Sequence, residues 1–266
     1  MDAQDFNIVF VGAGNVATHL ASACARKGCR IVQVYSRTEA SAQTLAHGLG
    51  CPYTTDLSEV SPEADLYVVS VKDSALEEVV ETLSRYGNPD ALYVHTAGSM
   101  PMEAWWGKVS RCGVFYPMQS FSKQRAVDFS EVPFFVEADP QDGVSRLKKL
   151  AGLLGSKVYE ASSEQRKYLH IAAVFASNFT NHMYAVCEHL LAAQGLPFGS
   201  MLPLIDETAR KVHELSPVEA QTGPARRNDR NVIDRHLDML KGEPELALIY
   251  DLLSQDIHAY ESKKQQ

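Results

Sequence analysis

The sequence predicts an α/β domain with a doubly wound, mostly parallel sheet over residues 1–160, followed by an all-helical domain over residues 161–266. Three observations support this prediction. A glycine-rich turn near the start joins an apolar, strand-like run to a helical pattern. Strand and helix patterns then alternate, which is typical of a parallel sheet covered by helices on both faces. From Ala161 onward every pattern is helical.

The glycine-rich turn follows a strand-like run that starts at Asn7, and it reads Gly12-Ala13-Gly14-Asn15-Val16-Ala17. A second strand pattern, Ile31 to Tyr35, follows at the spacing of a βαβ unit. In G-x-G-x-x-A the first glycine allows the tight turn, and the second lets the backbone approach a pyrophosphate at the helix N-terminus. We therefore predict a Rossmann domain in which Gly12, Gly14, Asn15 and Val16 bind a dinucleotide.

Further strand patterns extend the predicted sheet. The run from Asp65 to Val71 is almost continuously apolar, as expected of a strand buried on both faces. The other expected strands are Cys51–Tyr53, Ala91–His95, Gly113–Tyr116, Pro133–Glu137 and Lys157–Glu160, with helical spacing over 75–86 and 143–154.

The second half begins with a capping box formed by Ser162 and Gln165, which predicts the start of a long helix that ends near Ala193. Helical patterns follow over 200–215, 230–240 and 243–262. The connection over 222–229 has loop chemistry, with Asp229 as the expected cap of the next helix. Arg227 in this connection either binds a substrate carboxylate or is a solvated loop residue.

Composition narrows the class of protein. The 266 residues carry a formal net charge of −8, which argues against general binding of nucleic acid. No apolar run reaches the roughly 18 residues of a membrane span, and the acidic start does not resemble a secretory signal. The five cysteines are scattered without a CxxC pair, which predicts reduced thiols, no metal site and a cytoplasmic location.

The end of the second predicted strand indicates which dinucleotide binds. An NAD site has an Asp or Glu here that bonds the ribose 2′-hydroxyl, whereas this chain has Ser36, Arg37 and Thr38. Arg37 can bind a 2′-phosphate, and the two hydroxyls are suitable donors. We therefore expect NADP. The alternative is that Arg37 is solvated and Glu39 binds the ribose of NAD.

Ligands of open α/β sheets bind at the carboxyl ends of the strands. Ser70, Val71 and Lys72 follow one strand and are expected to contact the cofactor. The loop from His95 to Ser99 follows the next strand, and Tyr116-Pro117-Met118-Gln119-Ser120 follows the one after it; both are expected near the nicotinamide and substrate. In the alternative interpretation, Asp73 caps a helix and His95 bonds a backbone carbonyl.

The long helix after Ser162 is apolar around most of its circumference, which predicts burial. His170, Ser177 and Asn181 share a narrow arc at 100° per residue, with Asn178 to one side. Buried polar groups need partners, so these side chains either meet a ligand between the two domains or bond to the sheet loops. In the first case His170 acts as general acid or base, and the two asparagines orient the substrate. Ser99 and His95 are expected to assist in this catalytic step.

Four segments together resemble a bacterial family of NADP oxidoreductases. They are His95-Thr96-Ala97-Gly98-Ser99, Tyr116-Pro117-Met118-Gln119-Ser120-Phe121, His170-Ile171-Ala172-Ala173-Val174-Phe175-Ala176-Ser177-Asn178-Phe179 and Thr222-Gly223-Pro224. The glycine turn with Ser36 and Arg37 is also similar to the NADP-binding half of pyrroline-carboxylate reductases and deazaflavin-dependent NADP oxidoreductases. The resemblance implies a Rossmann domain and a helical domain of the 6-phosphogluconate-dehydrogenase C-terminal type. It also implies an NADP site and a homodimer formed through the helices.

The leading hypothesis is an NADP-dependent oxidoreductase that transfers hydride between the cofactor and a C=O or C=N carbon of a small metabolite in the interdomain cleft. The main alternative is a protein that senses NADPH without turnover, because Rossmann domains serve both uses. A third possibility is another nucleotide, such as S-adenosylmethionine. The substrate, and whether a flavin or deazaflavin takes part, stay open.

Overall fold

A computed structural model describes residues 3–263 of the chain. Its centre is one eight-stranded sheet with the order β3-β2-β1-β4-β5-β6-β7-β8. All neighbouring strands are parallel except β6 and β7, which are antiparallel. The predicted doubly wound, mostly parallel sheet is therefore confirmed. The strands are β1 Asn7–Val11, β2 Arg30–Tyr35, β3 Tyr53–Thr54, β4 Leu66–Val69, β5 Leu92–His95, β6 Cys112–Pro117, β7 Phe134–Asp139 and β8 Val158–Glu160.

Helices connect the strands and cover both faces of the sheet. Successive residues of β1 belong to different apolar clusters: Ile8 and Phe10 pack in one, Val9 and Val11 in the other. A strand with two buried faces needs apolar residues at every position, which explains the continuous runs in β1 and β4. The helices between strands are α1 Asn15–Arg26, α2 Glu39–Leu49, α3 Asp73–Tyr86 and α4 Asp142–Leu153.

The remaining helices follow β8, and among residues 161–263 there is no further strand. The predicted capping box is present: the Ser162 hydroxyl accepts from the backbone of Gln165, whose side chain accepts from the backbone of Ser162. The elements are α5 Ser163–Ala173, a π-helical turn Val174–Phe179, α6 Thr180–Ala192, α7 Leu202–Glu214, α8 Pro217–Ala220, α9 Arg230–Met239 and α10 Pro244–Lys263. Asp229 caps α9 as predicted, accepting from the backbone N–H of Val232.

The prediction that the long helix is buried is wrong for the single chain. Only Ser163 and Arg166 of α5 are buried, and the π turn and α6 contain no buried residue. Phe175 and Phe179 are 64% and 49% exposed. Helical periodicity shows that a surface is apolar, but the element that covers it is not encoded in that pattern.

The chain divides into two compact units, residues 1–182 and residues 183–266. The first contains the sheet, α1 to α5 and the π turn, and the second contains α7 to α10. The change from alternating strands and helices to helices alone comes after Glu160, whereas the division between the units falls within α6. A domain boundary at residue 160 stays a prediction. None of the described helices is both long and apolar enough to span a bilayer.

Candidate functional site

The turn between β1 and α1 requires a glycine at its first position. Gly12 has φ +119°, and a Cβ built on it would lie 2.3 Å from the carbonyl oxygen of Ser70. Gly14 is the N-cap of α1, and a Cβ there would meet no protein atom within 4 Å. The space beside Gly14 is open toward the first turn of α1, whose N–H groups lack intrahelical acceptors. This geometry fits the pyrophosphate of a dinucleotide.

Two further predicted cofactor residues lie in the same turn of α1. The side-chain amide of Asn15 donates to the carbonyl oxygen of Phe121 at 2.8 Å, so this amide already has a protein partner. Val16 follows it and is half-buried. The groups that Asn15 and Val16 offer to a phosphate are therefore their backbone N–H groups.

The loop after β2 presents the residues expected to select the dinucleotide. Ser36 is half-buried, and its hydroxyl accepts from the backbone N–H of Thr38 at 3.4 Å. Arg37 is exposed, and its guanidinium takes part in none of the ion pairs or hydrogen bonds found among residues 3–263. Thr38 is the N-cap of α2 without a side-chain cap bond, and the exposed Glu39 begins that helix. The loop thus has one exposed cation beside one exposed carboxylate.

The ends of β4 and β5 are joined by their hydroxyl groups. Ser70 and Thr96 lie 2.8 Å apart, oxygen to oxygen, and the backbone N–H of Ser70 donates to Val11. Val71 approaches the position of a Gly12 side chain, and Lys72 is the N-cap of α3. These contacts place the end of β4 directly beside the glycine turn, at the point where the strand order reverses.

Asp73 and Ser99 contact each other at the same edge of the sheet. The Ser99 hydroxyl donates a hydrogen bond to Asp73 Oδ2. Asp73 is the first residue of α3, and its carboxylate thus has a partner on the loop after β5. The hydroxyl of Ser99 is oriented by this carboxylate.

His95 is fully buried, and backbone groups lie beside both of its ring nitrogens. Nε2 lies 3.3 Å from the carbonyl oxygen of Pro101, and Nδ1 accepts from the backbone N–H of Ala97 at 3.3 Å. Burial, and to a smaller extent the nearby Arg166, lower the pKa of His95 to about 4. The ring is therefore neutral at pH 7. This environment corresponds to the alternative interpretation, in which His95 bonds a backbone carbonyl, and it leaves neither ring nitrogen available to a substrate.

A buried arginine lies behind this loop and was missed from the sequence. Arg166 is fully buried and forms an ion pair with Glu137 of β7. Its other terminal nitrogen donates to the carbonyl oxygen of Met100 and to the hydroxyl of Ser163, each at 3.1 Å. The network joins the start of α5 to β7 and to the loop after β5. Because Arg166 and Glu137 are 29 residues apart, no periodic pattern could have paired them.

A cavity of about 480 Å³ opens between the end of β6 and α5 with its π turn. None of the lining residues is a Lys, Arg, Asp or Glu. The residues that line it are Tyr116, Met118, Gln119, Ser120, Leu169, His170, Ala172, Ala173, Val174, Ala176, Ser177 and Asn178. Of the predicted catalytic residues, His170 and Asn178 thus meet at one cavity, whereas Asn181 is exposed and is not part of the described lining.

The π turn explains why Asn178 rather than Asn181 faces the cavity. An α-helix turns about 100° per residue, which would place Asn181 on the arc of His170. A π turn has about 4.4 residues per turn, so it advances only about 80° per residue. Over Val174–Phe179 this difference rotates Asn178 onto the arc and Asn181 away from it. At the end of this turn, the hydroxyl of Thr180, the first residue of α6, donates back to the Phe175 carbonyl at 3.1 Å.

Tyr116 also lines the cavity, although it was not among the predicted catalytic groups. Its ring packs against Gly98, where a Cβ would lie 2.7 Å from Tyr116 Cζ. Burial raises the pKa of Tyr116, so its phenol is protonated and can donate a hydrogen bond. The polar loop after β6 was the signal in the sequence for this part of the site. The position of the Tyr116 phenol follows only from its packing on Gly98.

Fold and site together define a dinucleotide-binding protein of the Rossmann class. Residues 7–98 match the family model "NADP oxidoreductase coenzyme F420-dependent", and residues 132–257 match a domain of unknown function, DUF2520. A solved structure from Bacteroides fragilis, a "putative NADP oxidoreductase", is 58% identical with a TM-score of 0.92; the alignment covers 97% of this chain and 100% of that one. The chain belongs to the family of this Bacteroides protein.

More distant relatives share parts of this architecture. A pyrroline-5-carboxylate reductase of Pseudomonas aeruginosa is 30% identical over 113 residues, which are 40% of this chain and 41% of that protein. The chain thus matches about two fifths of the length of this curated relative. A pyrroline-5-carboxylate reductase structure from Coxiella burnetii has a TM-score of 0.60 at 17% identity, covering 97% of this chain and 98% of that one. At this identity the likeness concerns the fold.

Proposed function

We propose that the protein is an NADP-dependent oxidoreductase that reduces or forms a C=O or C=N bond in a small metabolite. The observation that carries the proposal is the glycine turn, where Gly12 is packed against Ser70 and the space beside Gly14 is open. A pyrophosphate held there by backbone N–H groups would lie at the carboxyl ends of β1 and β4. Ser70, Val71 and Lys72 line that edge of the sheet.

NADP is favoured over NAD by the charge of the loop after β2. The Arg37 guanidinium forms no hydrogen bond or ion pair with the described residues, and Ser36 and Thr38 flank it with hydroxyl groups. A guanidinium binds a phosphate through charge-assisted, bidentate hydrogen bonds. In the alternative, NAD binding, Glu39 would bond the ribose 2′-hydroxyl instead.

The cavity beside α5 supplies the groups for the chemical step. When bound, the nicotinamide supplies or accepts the hydride. His170 holds the proton that the substrate oxygen or nitrogen exchanges, and Asn178 orients the reacting group. Ser99, whose hydroxyl hydrogen is donated to Asp73, offers the lone pairs of its oxygen as an acceptor. Asn181 stays a candidate for substrate orientation from the sequence, although its exposed side chain does not reach this cavity.

We favour turnover over NADPH sensing because the cavity combines a titratable imidazole with an amide and a protonated phenol. Calorimetry with NADP⁺, NADPH and NAD⁺ tests cofactor binding, and NADPH absorbance with a panel of keto acids, aldehydes and imines tests turnover. We expect His170→Ala to lower turnover about 10²-fold or more and to leave the NADPH affinity within about twofold. His182→Ala, on the same helical segment but outside the cavity, is the matched control. Binding without consumption across the panel would support the sensor.

We also propose that a second copy of the chain covers the helices of the second unit. Only Ala225, Ile233 and Ser254 are buried among residues 183–261. Large apolar side chains are exposed instead, among them Leu196, Leu202, Leu204, Val212, Leu215, Met239, Leu248, Leu252, Leu253 and Tyr260. A helical unit of this size needs an apolar core, and apolar side chains exposed in such number are typical of an association surface. A homodimer would supply the missing core.

The remaining expectations follow from the same class of function. The partner is a small-molecule substrate, and the cysteine pattern continues to favour the cytoplasm, where thiols stay reduced.

A further inference from the structure

The pocket segment, residues 119–122, borders the cavity and also contacts the cofactor helix. Gln119 and Ser120 line the cavity, while Phe121 and Ser122 meet α1. Between β6 and β7 the chain forms a mostly exposed connection, residues 118–133. Within the described part of the chain, no backbone hydrogen bond joins residues 119–122 to another element. What holds the pocket segment must therefore be side chains.

Two side chains of α1, one turn apart, hold the segment. Asn15 donates to the carbonyl oxygen of Phe121, and His19 Nε2 lies 2.8 Å from the carbonyl oxygen of Ser122. Because a carbonyl oxygen only accepts, Nε2 of His19 must carry a proton. The His19 ring also packs on Phe121, with ring centroids 5.9 Å apart. Phe121 in turn packs against the buried Phe129.

We propose that Asn15 and His19 are positioning residues that couple dinucleotide binding to the shape of the substrate cavity. The inference rests on the proposed function, because it requires a pyrophosphate at the N-terminus of α1. A phosphate bonded to the first N–H groups of α1 fixes the helical turn that carries Asn15. Fixing that turn holds both donors on the pocket segment, so local opening of residues 119–122 becomes rarer.

The consequence is an order of binding. The cofactor binds first, because the cavity edge formed by Gln119 and Ser120 opens less often once a bound pyrophosphate holds the first turn of α1. The substrate then binds to a cavity that is already ordered, so less conformational entropy is lost when it binds. The coupling needs no large movement, since both hydrogen bonds are already formed in the structure.

Hydrogen–deuterium exchange tests the coupling without a substrate. In the wild-type protein, saturating NADP⁺ should slow exchange of a peptide covering residues 118–128 at least about threefold. His19→Ala removes one donor and the ring contact, and alanine favours the helix. This variant should bind NADP⁺ within about twofold of wild type and protect the glycine turn, yet lose the slowing in residues 118–128.

Two further variants distinguish a loss of coupling between the cofactor site and residues 119–122 from a general destabilisation of the fold. His19→Gln keeps a donor in reach of the Ser122 carbonyl and should restore part of the slowing. His47→Ala, an exposed histidine of α2, should behave as wild type. Two results would overturn the coupling but leave the cofactor site in place. In the first, the wild-type protein binds NADP⁺ with measurable heat, but exchange in residues 118–128 does not become slower. In the second, NADP⁺ slows this exchange in His19→Ala as much as in wild type. No heat with either NADP⁺ or NAD⁺ would overturn the proposed cofactor site, and the coupling with it.

Discussion

The Ser99 hydroxyl donates a hydrogen bond to Asp73 Oδ2, which joins the loop after β5 to the first turn of α3. Asp73 itself sits at the N-terminus of that helix, where a negative charge is favoured. One carboxylate therefore stabilises α3 and orients a hydroxyl at the carboxyl edge of the sheet. The strength of this contact can be measured as a coupling free energy between the two side chains.

A double-mutant cycle of Ser99→Ala and Asp73→Ala should give a coupling free energy of unfolding of about 1 kcal/mol, since the bond is charge-assisted but partly exposed. Urea unfolding of the four proteins measures it. The cycle of Ser99→Ala with Glu77→Ala, an exposed residue one turn further along α3, should be additive. Additivity in the Asp73 cycle would mean that the two side chains do not interact in solution.

Gly12→Ala and Gly14→Ala should separate folding from binding. At Gly12 the positive φ and the 2.3 Å approach to the Ser70 oxygen predict a loss of about 2 kcal/mol in stability, together with loss of NADP⁺ binding. At Gly14 the space is open, so stability should fall by less than about 1 kcal/mol while binding is lost. Thermal unfolding and calorimetry measure the two effects. Full NADP⁺ affinity in Gly14→Ala would exclude a phosphate beside this residue.

Arg37→Ala should reduce the affinity for NADP⁺ about tenfold or more and leave that for NAD⁺ nearly unchanged, because the guanidinium meets only the 2′-phosphate. Glu39→Gln should leave NADP⁺ binding intact. Calorimetric titrations with the two dinucleotides provide the comparison. Equal losses for both would assign Arg37 to the part of the site that the dinucleotides share.

His95 should make the protein less stable in mild acid. Its pKa is lowered to about 4 in the fold, so the unfolded chain binds the proton more readily at pH values below about 6.5. The contribution of the neutral, buried His95 to the free energy of unfolding is fully present above pH 6.5 and is lost as the pH falls toward 4. Between pH 7 and pH 5 the loss should be about 2 kcal/mol. Urea unfolding of wild type and His95→Gln at several pH values measures this loss as the difference between the pH dependences of their unfolding free energies. Identical pH dependences would contradict a buried, neutral His95.

The proposed dimer should dissociate when charges enter the apolar surface of α10. Leu248 and Leu252 lie one helical turn apart and are 60% and 56% exposed in the single chain. In Leu248→Glu/Leu252→Glu, light scattering after size exclusion should change the mass from that of two chains to that of one. Tyr86→Glu changes an exposed aromatic residue of the first unit and should keep the wild-type mass. A monomeric wild-type protein would overturn the proposal directly.

Most of the sheet could be predicted from the sequence because its signals are local. The apolar runs of β1 and β4, the glycine turn and the capping box at Ser162 each lie within a few residues, and each is present in the structure. The third strand was expected over 51–53 and comprises Tyr53–Thr54, and the short helix α8 was not expected. A two-residue strand and a four-residue helix are too short for a periodic pattern.

The candidate site depended more on tertiary structure. His170 was placed beside Asn181 by an ideal helical wheel, but the π turn brings Asn178 to the cavity instead. His95 was expected near a ligand, and it is buried beside Trp105. Neither outcome could be derived from residue spacing, because both depend on packing between distant elements.

The amino-acid sequence by itself determined the order of strands and helices, the turn suited to a dinucleotide and the positive charge at Arg37. These features depend on backbone preferences and side-chain chemistry within short segments. Tertiary structure alone decided that Arg166 pairs with Glu137, that Asn15 and His19 hold the pocket segment, and which polar groups reach the cavity. Such contacts join residues far apart in the chain, so their energies arise only once the sheet has brought them together.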